Sequence, residues 1–184
     1  MRPVLIESPR LVLRSLRMAD ASALTQVVQA SVDTLSPFLF WASHDYDLEM
    51  ARAFVRLTRE IREKGKELHL GIFDKKSAEF LGMMGLMRMD AITLGFEIGY
   101  WLCSERQGEG LCTEAAKRII EYAFDGLDSH RVWLNCDVKN KGSRRVAEKL
   151  GMRREGRVKA FLIDPDGKAR DHYLYGLLKS EHEL

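Results

Sequence analysis

The sequence predicts one domain of mixed α/β class, in which helices pack on a mixed β-sheet. Its 184 residues suit a single hydrophobic core. Strand-like and helix-like segments interleave along the chain, but without the regular alternation that a fully parallel sheet requires. Three strand-like segments in the middle are joined by short polar connections, and this favours an antiparallel meander.

The first half of the chain predicts one strand and two helices. Residues 10–16 alternate in character, as a half-buried strand does. Residues 18–31 have a helical pattern, with Asp20 near its start. Residues 47–65 form a clearer amphipathic helix that ends at Gly65, with charged side chains opposite one apolar stripe. The members of this stripe are Met50, Phe54, Leu57 and Ile61.

The second half predicts the meander, two helices, another strand and a C-terminal hairpin. The meander strands are residues 67–74, 78–90 and 93–102. A helix with an apolar stripe then ends at Gly126, and strand 131–138 and the short helix 142–151 follow. The stripe consists of Ala116, Ile119, Ile120 and Ala123. The hairpin joins residues 158–164 to residues 169–178 through the turn sequence Pro-Asp-Gly.

Composition argues against several classes of function. With 29 basic and 27 acidic side chains, the net charge of +2 is too small to indicate a nucleic-acid partner. The apolar runs are shorter than the ~20 residues of a membrane-spanning helix, so no membrane partner is expected. The N-terminus lacks the apolar segment of a secretory signal. Three cysteines and five histidines form no disulfide or metal pattern, so we expect a cytoplasmic protein without a metal.

An aromatic segment lies between the first two helices, at residues 36–47. Phe38, Phe40 and Trp41 are too densely spaced for a solvated loop. The segment is either a loop anchored to the core or the apolar wall of a substrate pocket, and both can hold.

A glycine-rich loop connects the third meander strand to the next helix. Gly108 and Gly110 let a ligand approach the main chain, and the free N–H groups at a helix start attract an anion. This arrangement suits a pyrophosphate, although an ordinary turn would have the same pattern. It lacks the Lys of a Walker A motif and the third glycine of a dinucleotide motif. Glu109 would repel phosphate, so its side chain is expected to face solvent.

A second motif follows strand 131–138. Asn140 and Ser143 stand where this strand gives way to the short helix. Both residue types cap helices well, and capping would explain one of them. Capping explains less well why the strand FEIGYWL, the glycine loop and this motif occur together in this order.

Together these motifs resemble the GCN5-related N-acetyltransferase (GNAT) family, and within it the RimJ/RimL type, which acetylates protein N-termini and other amines. The resemblance covers nearly the whole chain through five segments: SPRLVLRSL, FEIGYWL, RQGEGLCTEA, NKGSRRVAEKLGMRREG and DHYLYGLL. It implies one N-acetyltransferase domain, residues 1–184. It also implies the GNAT fold, with about seven strands in a mostly antiparallel sheet, about four helices, and a cofactor cleft where strands 93–102 and 131–138 splay apart. The family often has Gln or Arg at the position of Glu105; here the basic residue, Arg106, comes one position later.

The resemblance also implies that acetyl-CoA is the cosubstrate. Main-chain N–H groups of the loop and the helix start would hold its pyrophosphate, and these belong to Gln107, Gly108, Glu109, Gly110, Leu111 and Cys112. The strand edge around Trp101 and Leu102 would bind the pantetheine arm, and Asn140 would contact that arm from the other side.

Direct attack by the amine in a ternary complex is expected by resemblance. Glu97 is the candidate base, because period-two alternation places it with Gly95, Gly99 and Trp101 on one face of its strand; the alternative is a solvated carboxylate. Ser143 is the candidate acid for the departing thiolate, by resemblance to RimL-type relatives, with capping as the alternative. The sequence shows no Cys–His pairing, so we expect no covalent cysteine intermediate.

The sequence leaves three functions open. The chain could acetylate the α-amine of a protein N-terminus or peptide-like acceptor, or a small amine such as a polyamine, an amino acid or an aminoglycoside-like compound. It could also bind CoA as an interaction protein with little catalysis. Asp45, Asp47 and Glu49 could favour a polycation, or form a solvated helix start. The apolar segment around Phe40 and Trp41 is a candidate homodimer contact.

Overall fold

The computed structural model describes residues 2–90 and 95–182, which contain one eight-stranded sheet in the order β1-β2-β3-β4-β5-β6-β8-β7. Neighbouring strands are antiparallel except β5 and β6, which are parallel. The strands are β1 (Leu5–Glu7), β2 (Leu11–Ser15), β3 (Leu68–Asp74), β4 (Phe80–Asp90), β5 (Gly95–Leu102), β6 (Arg131–Asp137), β7 (Arg153–Ile163) and β8 (Ala169–Leu178).

Six α-helices accompany the sheet in this part of the chain. They are α1 (Ala21–Ala30), α2 (Val32–Leu35), α3 (Leu48–Glu63), α4 (Leu111–Glu121), α5 (Lys141–Lys149) and α6 (Lys179–His182). Polar caps fix two of the helix starts, because Asp47 Oδ1 accepts from the Met50 N–H at 2.8 Å and Asn140 Oδ1 accepts from the Ser143 N–H at 2.9 Å. No helix among the described residues is long and apolar enough to cross a membrane.

The sheet divides the core into two layers. On one side, α4 and α5 pack on a cluster that includes Ile98 and Leu102 of β5. On the other side, α1 and α3 pack on a cluster that includes Trp101 of the same strand. Because successive side chains of a strand point to opposite faces, β5 contributes to both layers.

The fold confirms the predicted α/β class and the antiparallel meander, and adds elements that the sequence pattern did not predict. Three of these elements, β1, α2 and α6, have only three or four residues, too few to show periodicity. Strand β7 begins at Arg153, five residues before the predicted start, because its polar side chains lie on an exposed edge strand. Residues 93 and 94 of the predicted third meander strand lie outside the described residues.

Helix α3 buries a different face from the one that its apolar stripe indicates. Its buried side chains are Ala51, Val55, Thr58 and Arg62. Met50 and Leu57, members of the predicted stripe, are 44% and 51% exposed. The buried face lies one residue further along the helix, where small side chains such as Ala51 allow close packing on the sheet.

Strands β5 and β6 separate soon after they meet. Their register contains three pairs: Gly95 with Arg131, Phe96 with Val132, and Glu97 with Trp133. Within the described residues, the strands then continue to Leu102 and Asp137 without pairing to each other. The splayed parallel strands predicted by the resemblance are therefore present, and the edge of β5 that faces β6 is left open.

Candidate active site

The gap between β5 and β6 opens into a cleft of about 550 Å³. Its walls come from the end of β5, the loop into α4, the first turn of α5, and residues 34–39. Eight of the residues predicted to bind the cofactor line it: Trp101, Leu102, Gln107, Gly108, Gly110, Leu111, Cys112 and Asn140. The ninth residue, Glu109, does not line the cleft. Its carboxylate pairs with Arg106 at 2.9 Å.

The glycine loop has the backbone that an anion site requires. Gly108 and Gly110 have φ of +84° and +81°, a left-handed conformation that side chains disfavour. Gly110 is the N-cap residue, and α4 begins at Leu111. The first four N–H groups of a helix have no partner within it, and the helix dipole adds positive potential there. The loop therefore presents main-chain donors to the cleft, as expected from the sequence.

Basic side chains add to the positive potential of the cleft. Besides Arg106, four basic residues line the cleft: Lys139, Lys141, Arg145 and Lys149. None of them was predicted to bind the cofactor. Lys139 lies just before α5, and the other three are distributed along this helix, from its first residue to its last. Cationic side chains and N–H donors in the same cleft suit a ligand with several phosphates.

Arg106 also lines the cleft, but acidic neighbours hold its guanidinium. It pairs with Glu109 at 2.9 Å and with Asp74 at 3.4 Å. The hydrogen bond to Glu109 raises the pKa of Arg106, although burial opposes the shift. Arg106 thereby fixes the shape of the loop between β5 and α4.

Glu114 ties helix α4 to the turn between β1 and β2. Its carboxylate accepts from Ser8 Oγ at 2.7 Å and from Arg10 Nε at 2.6 Å. Burial alone would raise the pKa of Glu114, but these hydrogen bonds outweigh it and lower the pKa. Arg10 also donates to the main-chain oxygen of Glu109 at 3.1 Å, so it anchors both the loop and the helix start.

Ser143 lies in the first turn of α5, at the mouth of the cleft. Its Oγ is 2.9 Å from the phenolic oxygen of Tyr100. The helix cap is made by Asn140, which accepts from the Ser143 N–H, so the capping interpretation is correct for Asn140 and wrong for the Ser143 side chain. Asn140 both lines the cleft and caps the helix.

The cysteines near the cleft remain protonated at neutral pH. Burial raises the pKa of Cys112 to about 12 and that of Cys136 to about 11. Cys112 lies in the first turn of α4, where the helix dipole favours a thiolate. The cost of desolvating the thiolate outweighs this effect, so the pKa rises. A protonated thiol is a poor nucleophile, in keeping with the expectation that no covalent cysteine intermediate forms.

Glu97 lies on the other face of β5, with Trp101. Its side chain is only 8% exposed, and Asn135 of β6 donates to Glu97 Oε1 at 3.2 Å. The interpretation of Glu97 as a solvated carboxylate is therefore wrong. The carboxylate stands where β5 and β6 are about to separate.

His172 and Asp137 extend this face toward the C-terminal hairpin. They are directly opposite each other on β8 and β6, and alternation along β6 puts Asp137 on the same face as Asn135. Burial lowers the pKa of His172, with Asp137 opposing the shift, and Phe161 stacks on the imidazole at 4.4 Å between ring centroids. This imidazole is therefore predominantly neutral at pH 7.

The aromatic segment divides between the cleft and the surface. Phe38 lines the cleft, whereas Phe40 and Trp41 are 39% and 43% exposed. Trp41 packs edge-on against Trp101, with 5.9 Å between ring centroids. Arg170 of β8 donates to the main-chain oxygen of Pro37 at 2.9 Å and so ties the segment to the hairpin. The loop is thus anchored to the core, and Phe38 also serves as a wall.

Sequence reasoning missed Tyr100, Asn135 and the basic side chains of the cleft. The alternation along β5 predicts that Tyr100 and Glu97 lie on opposite faces of the strand. No sequence pattern, however, pairs Tyr100 with Ser143. Trp133 of β6 is the register partner of Glu97, and Asn135 lies two residues further along β6. Its contact with Glu97 could be inferred only once β5 and β6 were known to be neighbours.

Comparison with known proteins identifies the family. Residues 10–153 match the family model described as "Acetyltransferase (GNAT) domain". A Bacillus subtilis protein named "Putative ribosomal N-acetyltransferase YdaF" is 31% identical over 174 residues, which cover 93% of this chain and 92% of that protein. The "[Ribosomal protein uS5]-alanine N-acetyltransferase" of Escherichia coli is 29% identical over 181 residues, covering 95% of this chain and 90% of its own length.

A solved structure shows the same fold. "Mycobacterium smegmatis RimJ in complex with CoA-disulfide" superimposes with a TM-score of 0.89 at 26% identity, over 98% of this chain and 91% of the other. The matched family model spans most of the sequence, including the loop and α4. The chain therefore belongs to the GNAT family and is an N-acetyltransferase of the RimJ/RimL-like group.

Proposed function

We propose that this enzyme transfers the acetyl group of acetyl-CoA to the α-amine of a protein N-terminus, by direct attack in a ternary complex. The observation that carries the proposal is the separation of β5 and β6 just beyond Glu97. It leaves the edge of β5 open beside the cleft, on the same strand that carries the buried Glu97 carboxylate. A thioester in the cleft and an amine beside Glu97 would meet there.

The cofactor would be held at three places. The N–H groups from Gly108 to Cys112 would bind the pyrophosphate, with support from the basic side chains of the cleft. The N–H of Gln107, which was also predicted to bind it, donates instead to the main-chain oxygen of Ser104 at 3.4 Å. The open edge of β5 around Trp101 and Leu102 would pair with the pantetheine amides, and Asn140 would contact the arm from α5. The similar Mycobacterium smegmatis RimJ, solved in complex with CoA-disulfide, supports coenzyme A as the ligand.

Glu97 would accept the proton of the attacking amine, directly or through water. Its burial and its hydrogen bond from Asn135 hold the carboxylate in one place. Phe38, Phe40 and Trp41 would form the apolar side of the acceptor pocket. Ser143 would donate a hydrogen bond to the sulfur as the carbon–sulfur bond breaks.

The acceptor is inferred from amine chemistry and from relatives. An α-amine with pKa ~8 costs about 1 kcal/mol to deprotonate near pH 7, whereas a lysine with pKa ~10.4 costs roughly 4–5 kcal/mol. The name of the E. coli relative specifies a ribosomal-protein alanine as its acceptor. Asp45, Asp47 and Glu49 were the candidates for a polycation pocket. Of these, Asp47 caps α3 and Glu49 pairs with Arg52. A ribosomal-protein acceptor would also support a cytoplasmic location.

Replacing Gly108 by leucine is expected to weaken coenzyme A binding about tenfold or more, because the new side chain would obstruct the approach of the pyrophosphate. Isothermal titration calorimetry with CoA measures this. Gly151→Leu is the matched control: Gly151 also has positive φ, +73°, and an open Cβ direction, but it lies after α5. Equal dissociation constants for the two variants, or no CoA binding by the wild type, would contradict the proposed cofactor site.

A thiol-release assay with acetyl-CoA and a panel of amines tests the acceptor. We expect turnover with peptides that have a free α-amine, and much less with N-terminally blocked lysine peptides or polyamines. The rate with the α-amine should level off near pH ~8, the pKa of that group. Preference for polyamines would move the assignment to the small-amine class. CoA binding without turnover on any amine would favour a CoA-binding interaction protein.

Glu97→Gln tests the base. Gln keeps the acceptor for Asn135 but cannot take a proton, so kcat at pH 7 should fall about 100-fold while CoA affinity is unchanged. The deficit should shrink above pH 8, where free neutral amine is abundant. Glu60→Gln on the exposed side of α3 serves as the control. A Glu97→Gln enzyme that keeps more than a third of wild-type kcat at pH 7 would remove Glu97 from this role.

A further inference from the structure

We propose that Tyr100 is a positioning residue for Ser143: its phenol donates to Ser143 Oγ and so turns the serine proton toward the sulfur of the cosubstrate. The inference rests on the proposed function and adds a residue to it. It is carried by the contact between Tyr100 and Ser143, two hydroxyl groups that come from different elements and line the same cleft.

Two acceptors on Ser143 lie within reach of the phenolic proton, and the proposal assigns that proton to Oγ. Tyr100 Oη is 2.9 Å from Ser143 Oγ and 3.3 Å from the main-chain oxygen of Ser143. Hydrogen bonds between oxygens have lengths of about 2.5–3.0 Å, so Oγ is the better acceptor. A phenol has a single proton to donate. In the proposed arrangement the phenolic proton goes to Oγ, so the hydroxyl proton of Ser143 is not shared with Tyr100 and is directed into the cleft that both residues line.

The rest of Ser143 is held in place as well. Asn140 Oδ1 accepts from its main-chain N–H at 2.9 Å, which fixes the first turn of α5. Tyr100 comes from β5, across the gap, so the contact also ties the two walls of the cleft together. Burial raises the pKa of Tyr100 well above its usual value, so the phenol remains a donor throughout the working pH range.

The chemical consequence is hydrogen-bond donation without net proton transfer from the tyrosine. As the tetrahedral intermediate collapses, the carbon–sulfur bond breaks and its electron pair goes to sulfur. The Ser143 hydroxyl donates to the thiolate as charge develops, and donation from Tyr100 makes that hydroxyl a stronger donor. The thiolate takes its proton from water when CoA departs.

Tyr100→Phe removes the phenolic oxygen and keeps the ring that packs beside the core. We expect kcat to fall about tenfold, the effect of losing one hydrogen bond made in the transition state, with the KM for acetyl-CoA within about twofold of wild type. Tyr122→Phe is the matched control, because this half-buried tyrosine lies in the turn after α4, outside the cleft walls. Loss of its phenolic oxygen should leave kcat unchanged.

A double-mutant cycle separates positioning from general structural damage. In a Ser143→Ala background, Tyr100→Phe should have no further effect, because there is no hydroxyl left to orient. In a Ser143→Thr background, which keeps the hydroxyl, the loss should persist. Additive effects with Ser143→Ala, or a kcat for Tyr100→Phe within twofold of wild type, would overturn the inference.

These experiments distinguish a failure of the Tyr100 inference from a failure of the proposed function. If wild-type enzyme releases no CoA with any amine, the acetyltransferase assignment fails and the cycle cannot show coupling in kcat. If wild-type enzyme turns over and the cycle is additive, only the role of Tyr100 fails. Thermal unfolding of each variant, compared with Tyr122→Phe, provides a second readout, and a loss of kcat that follows a loss of fold would count against positioning.

Discussion

The separation of β5 from β6 is the constraint on which the rest of the site depends. Two parallel strands that stayed paired would use their main-chain groups on each other and close the sheet. Here the pairing ends at Glu97 and Trp133, and β6 continues with β8 as its antiparallel partner. The edge of β5 is then free to bind an extended ligand as an added strand would. The open strand edge and the cleft beside it therefore both follow from the end of pairing between β5 and β6.

The two faces of β5 divide the chemistry between them. Alternation places Tyr100 and Leu102 on the side of α4 and α5, and Glu97 and Trp101 on the side of α1 and α3. One side therefore has the N–H donors, the cationic side chains and the hydroxyl pair that suit CoA and its departing thiolate. The other has a buried carboxylate that suits an incoming amine. In the proposed mechanism, this one strand would align the two substrates.

Much of this arrangement could be predicted from the sequence. The glycine loop, its position before α4 and the alternation around Glu97 are local features, and local features leave a pattern in the chain. The buried face of α3 could not be predicted from its stripe, because packing on the sheet favoured small residues such as Ala51 over the larger Met50. The contacts of Tyr100 with Ser143 and of Asn135 with Glu97 join distant segments, so they depend on the register of β5 and β6.

Hydrogen–deuterium exchange with and without coenzyme A tests the central claim most directly, because it reports the location of the ligand as well as its affinity. The account predicts slower exchange on CoA binding at two places, the main-chain amides of the glycine loop and first turn of α4, and those of the open edge of β5. Protection should be weak on the exposed side of α3. Protection absent from the loop and the β5 edge, with CoA bound, would contradict the account.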